Sequence, residues 1–260
     1  MALSRRSKTR NNSTIKRKNL LDLLRKVNLG GIINECVLNV DNGIGKICAV
    51  DITNSLIVII ETRVMSKKTE CKLGLGNIDL LIKFLNALND DSLEFEVKES
   101  RLEINNPNKS RKLNYLLSQP DLVSTNLDSK DDPKKKILKM AELTTNLTDT
   151  FIKDFLTYLG IVDDKTIKLK FDGDNEQLVF LCGKSHEHQF ELLLNHDIDG
   201  DGEEDFEVSI NGEHFARVLT AIDFDEDEPP ILNFAKDVPV VIENDNAFWA
   251  LSAITDEEGE

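Results

Sequence analysis

The sequence lacks any long apolar run. Nothing in its 260 residues approaches the run of about 18 apolar residues that a membrane-spanning helix requires. The N-terminus, MALSRRSKTRNNSTIKRK, also lacks the apolar stretch of a signal peptide. We therefore expect an intracellular protein with no membrane partner.

Cysteine is scarce, and its spacing excludes the common cysteine frameworks. No two cysteines form a C-x-x-C pair, and all of them stand inside apolar segments. Without a secretory context, such residues are more often reduced than paired in disulfides. We predict reduced core residues at Cys36, Cys48, Cys71 and Cys182.

Motifs for catalysis or cofactor binding are also missing. GIGK (43–46) is shorter than a P-loop and is not followed by Ser or Thr, so nucleotide binding is unsupported. No pair of nucleophile and base stands out, although residues far apart in sequence could converge in space. We predict that the protein is not an enzyme, has no catalytic residues and binds no cofactor.

One acidic stretch resembles a calcium loop. DIDGDGEED (197–205) begins like an EF-hand, with Gly202 at the sixth position, but Val208 stands where the bidentate Glu is needed. Nearby histidines lack the Cys or carboxylate spacing of known metal sites; these are His186, His188 and His196. A solvated loop is favoured, and a calcium- or metal-dependent protein that uses this loop is kept as an alternative.

The charge is distributed unevenly along the chain. The formal net charge is -15, which by itself argues against a nucleic-acid partner because phosphate contacts need Lys and Arg. However, residues 1–30 contain nine Lys or Arg against one acid, whereas residues 195–260 contain twenty acids against two bases. This asymmetry is typical of a protein with a basic surface for one partner, or of a basic arm joined to a solubilising acidic end.

Four segments have the apolar periodicity of short amphipathic helices; they are 19–29, 77–88, 147–160 and 211–222. The first is predicted to leave Asp22, Arg25 and Lys26 outside, and the second to bury Leu80, Leu81, Phe84, Leu85 and Leu88. Asn77 is a predicted N-cap, and Asn146 and Asp149 are spaced like a capping box.

The order of these elements repeats. Alternating or β-branched runs fill the intervals, so each half is predicted to contain a helix, four strands, a helix and three strands. A further strand is predicted near 13–18 in the first half and near 138–145 in the second. The sequence therefore predicts an α+β protein made of two similar units.

A polar segment separates the two halves. Residues 118–136, SQPDLVSTNLDSKDDPKKK, are rich in Ser, Asp, Pro and Lys and have little strand periodicity. The predicted organisation is a basic arm (1–12), a first domain (13–117), this connector, a second domain (137–254) and an acidic tail (255–260).

Three ordered stretches carry a resemblance to a known family. They are ICAVDITNSLIVII (47–60), SLEFEVKESRLEINNPNKSRKLNYLL (92–117) and DVPVVIEND with AFWALSAITDEEGE (237–245 and 247–260). In this order, and with the duplicated plan, they resemble the DNA sliding clamps: the proliferating cell nuclear antigen family and related phage and viral clamps. The chain departs from that family in its longer basic N-terminus, in its polar connector and in Ala253, where many clamps have Pro.

The resemblance implies a fold and a function. It implies two clamp-type domains, each with two helices packed on curved antiparallel sheets, that form a ring on oligomerisation. Such a clamp encircles duplex DNA and acts as a processivity factor that tethers DNA polymerase at replicating DNA after a clamp loader has placed it. The alternative within this fold is a DNA-binding accessory protein that does not close a ring.

The family's ring also implies where DNA and neighbouring subunits would bind. Solvent faces of the helices would meet the DNA backbone without base readout, through Lys16, Arg17, Lys18, Arg25, Lys26, Lys83, Lys153, His214 and Arg217. Ring closure would pair RKLNYLL (111–117) of one subunit with HQFELLL (188–194) of the next. The interface residues would be Arg111, Leu113, Tyr115, Phe190 and Leu192, and six domains per ring would require a homotrimer.

Clamps of this family also receive short peptide motifs of replication proteins under the connector. The resemblance places that pocket at Val50, Asp51, Leu122, Leu127, Pro239, Ala250, Ser252, Ala253 and Ile254. Ordinary strand packing is the alternative explanation for Val50, Pro239 and Ala250.

Overall fold

A computed structural model describes residues 13–65, 70–127, 133–162, 165–183, 188–194, 196–200, 202 and 204–254. The predicted basic arm and acidic tail lie outside these residues, as do Asp201 of the acidic stretch and the nearby His186. Within the described residues, no helix is long and apolar enough to cross a membrane.

The first half alternates helices with antiparallel strands. It begins with β1 (Ser13–Lys16), α1 (Arg17–Asn28), β2 (Cys36–Asp41), β3 (Ile44–Val50), β4 (Leu56–Arg63) and β5 (Cys71–Leu75). It continues with α2 (Ile78–Ala87), β6 (Ser92–Lys98), β7 (Arg101–Asn105) and β8 (Lys112–Leu116). The predicted order of the first half is confirmed.

The connector carries structure that the sequence analysis missed. It contains a short 3-10 helix (Pro120–Leu122) and the six-residue helix α3 (Pro133–Leu138). Between them, Val50 and Cys48 of β3 exchange backbone hydrogen bonds with Thr125 and Leu127. The connector is therefore attached to the sheet.

The second half repeats the plan with one additional short strand. It begins with β9 (Leu143–Asn146), α4 (Asp149–Leu159), β10 (Thr166–Asp172), β11 (Gln177–Cys182), β12 (Phe190–Leu194) and β13 (Ile198–Gly200). It ends with β14 (Phe206–Asn211), α5 (Gly212–Ala221), β15 (Ile231–Phe234), β16 (Val240–Asn244) and β17 (Ala247–Leu251). The extra strand, β13, lies within the acidic stretch and pairs with β9.

Three antiparallel sheets hold the strands together. The order is β1-β6-β7-β8 in one sheet and β12-β11-β10-β14 in another, while the third sheet runs β13-β9-β15-β16-β17-β4-β3-β2-β5. The third sheet crosses the boundary between the halves because β17 pairs with β4, from Ala247 opposite Ile60 to Leu251 opposite Leu56. The predicted α+β architecture of two similar units is confirmed.

Helix ends agree in part with the prediction. The Asn77 side chain accepts a hydrogen bond from the Leu80 backbone N–H at 2.8 Å, which confirms the predicted N-cap of α2. The capping box predicted at Asn146 and Asp149 is wrong, because the cap of α4 is Thr148, whose hydroxyl accepts from Phe151 N–H at 3.1 Å. Leu80 was predicted to be buried but is 40% exposed.

Apolar side chains between the helices and the sheets form the core. In the second half, Phe155 is fully buried and lies at the centre of a cluster of rings that includes Phe180 and Phe215, with centroids 6.0 and 5.1 Å away. In the first half the core is mostly aliphatic, and Leu23, Leu24 and other residues of α1 are inaccessible to solvent. No disulfide joins the four cysteines, and all but Cys71 are buried.

Candidate functional site

The four longer helices form one row. α1 packs against both α2 and α5, and α5 packs against α4, so the row runs α2-α1-α5-α4 across the boundary between the halves. Their apolar faces are buried, which leaves the opposite faces to solvent. Exposed cations on or beside this row are Lys16, Lys18, Arg25, Lys83, Lys153 and Arg217.

Lys26 is not among the exposed cations. Its ammonium lies 3.0 Å from an Asp22 carboxylate oxygen and 3.2 Å from Asp223, and the residue is only 4% exposed. Burial alone would lower the pKa of Lys26, but the two carboxylates outweigh burial and raise it. The prediction that Lys26 faces outward is wrong, because the partner that covers it, Asp223, comes from the other half of the chain.

Three predicted DNA-facing cations have local partners. Arg17 donates from Nε to the Asp90 carbonyl oxygen at 3.1 Å, which ties the start of α1 to the end of α2. Lys153 pairs with Asp149 one turn earlier on α4, and Arg25 donates to Asn86 Oδ1 at 3.3 Å. The contacts of Lys153 and Arg25 are exposed and contribute little to stability, so these two side chains can exchange them for a phosphate.

His214 points away from the exposed face of α5. The residue is half-buried, and its Nδ1 lies 3.2 Å from the Ser55 hydroxyl oxygen. The prediction that its side chain is exposed beside Arg217 is wrong, since the first turn of α5 lies against the turn between β3 and β4. Arg217, three residues later, remains exposed.

The two strands predicted to join subunits are edge strands. β8 ends one four-stranded sheet, and β12 ends the other. Arg111 is exposed beside β8, whereas Leu113, Phe190 and Leu192 are half-buried. Two leucines on these strands, not predicted from the sequence, are more exposed: Leu116 at 75% and Leu193 at 45%.

Tyr115 does not belong to that exposed edge. It is 2% exposed, and its hydroxyl donates to the Asn77 carbonyl oxygen at 3.0 Å and accepts from Asn77 N–H at 2.9 Å. The prediction of Tyr115 as an interface residue is therefore wrong. Its role is to attach β8 to the start of α2.

A carboxylate surrounded by cations lies beside the same edge. Glu103 on β7 is 2.6 Å from Lys98 Nζ and 2.9 Å from Lys112 Nζ, and Arg101 lies 3.5 Å away. Hydrogen bonds from Lys98 and Lys112 lower the pKa of Glu103 to about 2. The carboxylate is only 4% exposed, and the side chains that neutralise it also cover it.

A cavity of about 580 Å³ lies where the C-terminal segment leaves β17. Four predicted pocket residues meet there: Pro239, Ser252, Ala253 and Ile254. The remaining lining residues, which sequence analysis missed, are Glu207, Val208, Ser209, Asp237 and Val238. Of these, Asp237 and Val238 could have been found from the sequence, because they precede Pro239 in the D-V-P stretch.

Other predicted pocket residues lie elsewhere. Val50 is 9% exposed and Ala250 is 2% exposed, so neither offers an open wall. Ala250 belongs to a small cluster of buried apolar residues. Leu127 of the connector packs against this cluster, as do Ile137 and two further partly buried residues. The prediction of Val50 and Ala250 as pocket walls is wrong, because the connector covers this face of the sheet. Leu122 is 74% exposed.

Asp51 organises the turn between β3 and β4. Its carboxylate accepts hydrogen bonds from the backbone N–H groups of Thr53, Ser55 and Leu56 at 3.1, 2.7 and 2.7 Å, and from the Thr53 hydroxyl. Burial alone would raise the pKa of Asp51, but these hydrogen bonds outweigh it and lower the pKa. At 4% exposure Asp51 cannot contact a bound peptide directly, so its prediction as a pocket residue is wrong.

The acidic stretch offers no metal centre within the described residues. No group of three or more His, Cys, Asp or Glu side chains in the described ranges converges as metal ligands would. Asp199 lies on strand β13 and is paired with Thr144 of β9, where an EF-hand would have a loop between helices.

Solved structures share this architecture. Proliferating Cellular Nuclear Antigen from Entamoeba histolytica superposes with a TM-score of 0.70 and 14% identity, over 94% of this chain and 98% of that chain. The same protein from Thermococcus kodakaraensis gives 0.69 and 13%, over 94% and 99%. The Helicobacter pylori beta clamp bound to a DNA ligase peptide gives 0.69 and 14%, over 96% and 68%. No protein-family model and no curated protein sequence matches the chain. The fold is the DNA sliding-clamp fold.

Proposed function

We propose that the chain is a subunit of a ring-shaped DNA sliding clamp, a processivity factor without catalytic chemistry. In this proposal, it encircles duplex DNA, is placed there by a clamp loader and tethers DNA polymerase and other replication proteins. The observation that carries the proposal is the single row of four helices, whose outward faces bear exposed cations from both halves of the chain.

The helix row suits contacts with phosphate but not with base edges. Lys18, Arg25, Lys83 and Arg217 are long, exposed side chains on three different helices. Contacts between such cations and phosphates carry no sequence information, so a protein that uses them can move along the duplex. Acidic residues of the same row, such as Asp79 on α2 and Asp154 on α4, limit the affinity and favour a mobile complex.

The two free edges support ring closure. β8 and β12 lie at the ends of different sheets, one in each half, so an edge of one chain can pair with the other edge of the next. Exposed apolar residues accompany both edges: Leu116 on β8, and Leu193 and the neighbouring Tyr158 at β12. Six domains per ring would then require three copies of this two-domain chain.

The cavity next to the C-terminal segment supports a peptide partner. It is lined by residues of both polar and apolar type, and Ile254 at its rim is 41% exposed. The Helicobacter pylori clamp with the same fold binds a peptide of DNA ligase. By analogy, we propose that partner proteins insert a short peptide into the cavity lined by Pro239, Ser252 and Ala253.

The mass of the native assembly tests ring closure. Light scattering should give three times the 29.3 kDa chain mass at micromolar concentration. Leu116→Asp should reduce this mass, since it places a charge on the edge strand. The matched control is Leu122→Asp, because Leu122 is equally exposed, at 74% against 75%, but lies on the connector.

Stimulation of the cognate replicative polymerase on primed circular DNA tests the function. The wild-type protein should increase the length of product per binding event, and Leu116→Asp should not. A monomer that gives no stimulation would refute the proposal. A monomer that still binds duplex DNA would indicate the alternative, a clamp-fold protein that does not close a ring.

A further inference from the structure

The first turn of α5 is bonded to a turn in the other half of the chain. His214 Nδ1 lies 3.2 Å from Ser55 Oγ, although the two residues are 159 positions apart. Ser55 Oγ in turn donates to Asp51 Oδ2 at 3.2 Å. The three side chains thus form a chain of hydrogen bonds, Asp51–Ser55–His214, which joins the two halves.

Ser55 Oγ has three partners. Besides His214 Nδ1 and Asp51 Oδ2, it lies 2.9 Å from Thr53 Oγ1. The direction of the Ser55–His214 hydrogen bond depends on the tautomer of the imidazole. Asp51 is a rigid anchor for this chain because three backbone N–H groups of its own turn also bind it.

The same turn holds the wall of the peptide cavity. Ser252 N–H donates to the Ser55 carbonyl oxygen at 2.9 Å, and the Ser252 hydroxyl donates to the Asn54 carbonyl oxygen at 3.3 Å. Two residues later, Ile254 N–H donates to the Ser209 carbonyl oxygen at 2.7 Å. The segment Ser252–Ile254 is therefore fixed between β14 and the turn that His214 touches.

We infer that His214 is a positioning residue for the peptide cavity and not a DNA contact, acting through Ser55 on the wall Ser252–Ile254. This inference rests on the proposed function, since it names what shapes the partner site of the clamp. α5 then has two roles. Arg217 is one of the exposed cations of the helix row, and His214 supports the cavity. Loss of the hydrogen bond at Nδ1 would let the turn and the wall move together.

Two substitutions of His214 separate a hydrogen-bonding role from a general one. Asn places an amide nitrogen or oxygen at the position of Nδ1, so His214→Asn keeps a hydrogen-bonding partner for Ser55 in either direction. Gln places its amide one bond further out, near the position of Nε2, so His214→Gln loses that hydrogen bond. Ser55→Ala breaks the same chain from the other half and leaves α5 unchanged.

Three measurements test the inference. Hydrogen exchange should be about three- to tenfold faster at the Ser252 amide in His214→Gln and Ser55→Ala, and nearly unchanged in His214→Asn. The polymerase concentration for half-maximal stimulation should rise about three- to tenfold in the same two variants and be rescued in His214→Asn. Binding of a fluorescent duplex of about 30 base pairs should be unchanged in all three variants.

The outcomes distinguish this inference from the function on which it rests. If His214→Gln weakens duplex binding and leaves exchange at Ser252 as in the wild type, His214 is a DNA contact and the inference fails. If His214→Asn exchanges as fast as His214→Gln, the contact is steric and the inference also fails. If the wild-type protein stimulates no polymerase, the clamp proposal fails, and hydrogen exchange still decides the role of His214.

Discussion

Lys26 gives a quantitative test of how the two halves are joined. Its ammonium is held between Asp22 of α1 and Asp223, which follows α5. Lys26→Met keeps most of the aliphatic stem but removes the charge, so the main loss is electrostatic. The variant leaves two carboxylates facing each other without a cation.

The structure sets the size of the expected effect. Removal of one partner of a fully buried ion pair costs about 3–5 kcal/mol, because the other charge stays buried without a counter-charge. Here the orphaned carboxylates can regain water, since the side chain of Asp22 is 33% exposed and that of Asp223 is 80% exposed. We therefore expect Lys26→Met to lower the free energy of unfolding by about 1–3 kcal/mol.

Thermal and urea unfolding measure this loss. For a chain of this size, 1 kcal/mol corresponds to about 2–4 °C, so the melting temperature should fall by about 2–12 °C. Asp223→Asn should cost less than Asp22→Asn, because Asp223 is the more exposed partner. Lys83→Met is the control, since Lys83 is exposed on α2. If Lys26→Met and Lys83→Met unfold alike, the reasoning about this ion pair is refuted.

Three further predictions follow from the structure. Gly74→Ala should destabilise the protein by about 1–3 kcal/mol in urea unfolding, because its Cβ would lie 2.3 Å from the Ser118 carbonyl oxygen, whereas Gly160→Ala meets only ordinary contacts and should be neutral. The folded-state pKa of Glu103 is depressed to about 2, so its contribution to stability is present above its ordinary pKa of 4.5 and is lost as pH falls from 4.5 towards 2. Glu103→Gln should therefore lose less stability than the wild type between pH 6 and pH 3, and equal losses would contradict the assignment. Lys83→Ala should weaken duplex binding and reduce the slope of log affinity against log salt by about 1, with no sequence dependence.

Periodicity was sufficient to predict the helices and the duplicated order of strands. Amphipathic stripes are local, so the buried Leu23 and Leu24 of α1 and the buried Phe155 of α4 could be identified from sequence spacing alone. The Asn77 cap was predictable for the same reason, since the capping hydrogen bond joins two residues only three positions apart. Helix α3 was missed because PKKKIL is too short and too charged to show a stripe, although Pro at its first position was a usable signal.

The candidate sites were predicted less well because they depend on distant contacts. Lys26 has the spacing of an exposed residue, and only the folded chain brings Asp223 over it. Asp51, Val50 and Ala250 matched a family pattern, but the connector and the hydrogen bonds of the turn remove them from solvent. Ser252 and Ala253 do line a cavity, since they lie where a continuous segment leaves its strand, and their part in peptide binding stays a prediction.

The pairing of β17 with β4 has a mechanical consequence. Five residue pairs, from Ala247–Ile60 to Leu251–Leu56, continue one sheet through the boundary. Trp249 in this strand also donates from its indole to the Lys26 carbonyl oxygen at 3.1 Å, deep inside the protein. Bending the chain at its middle would break this ladder and expose the indole, so we expect the two halves of the chain to move together. In the proposed ring, a gap for DNA would then have to form between subunits, at the proposed seam of β8 and β12, and not inside one.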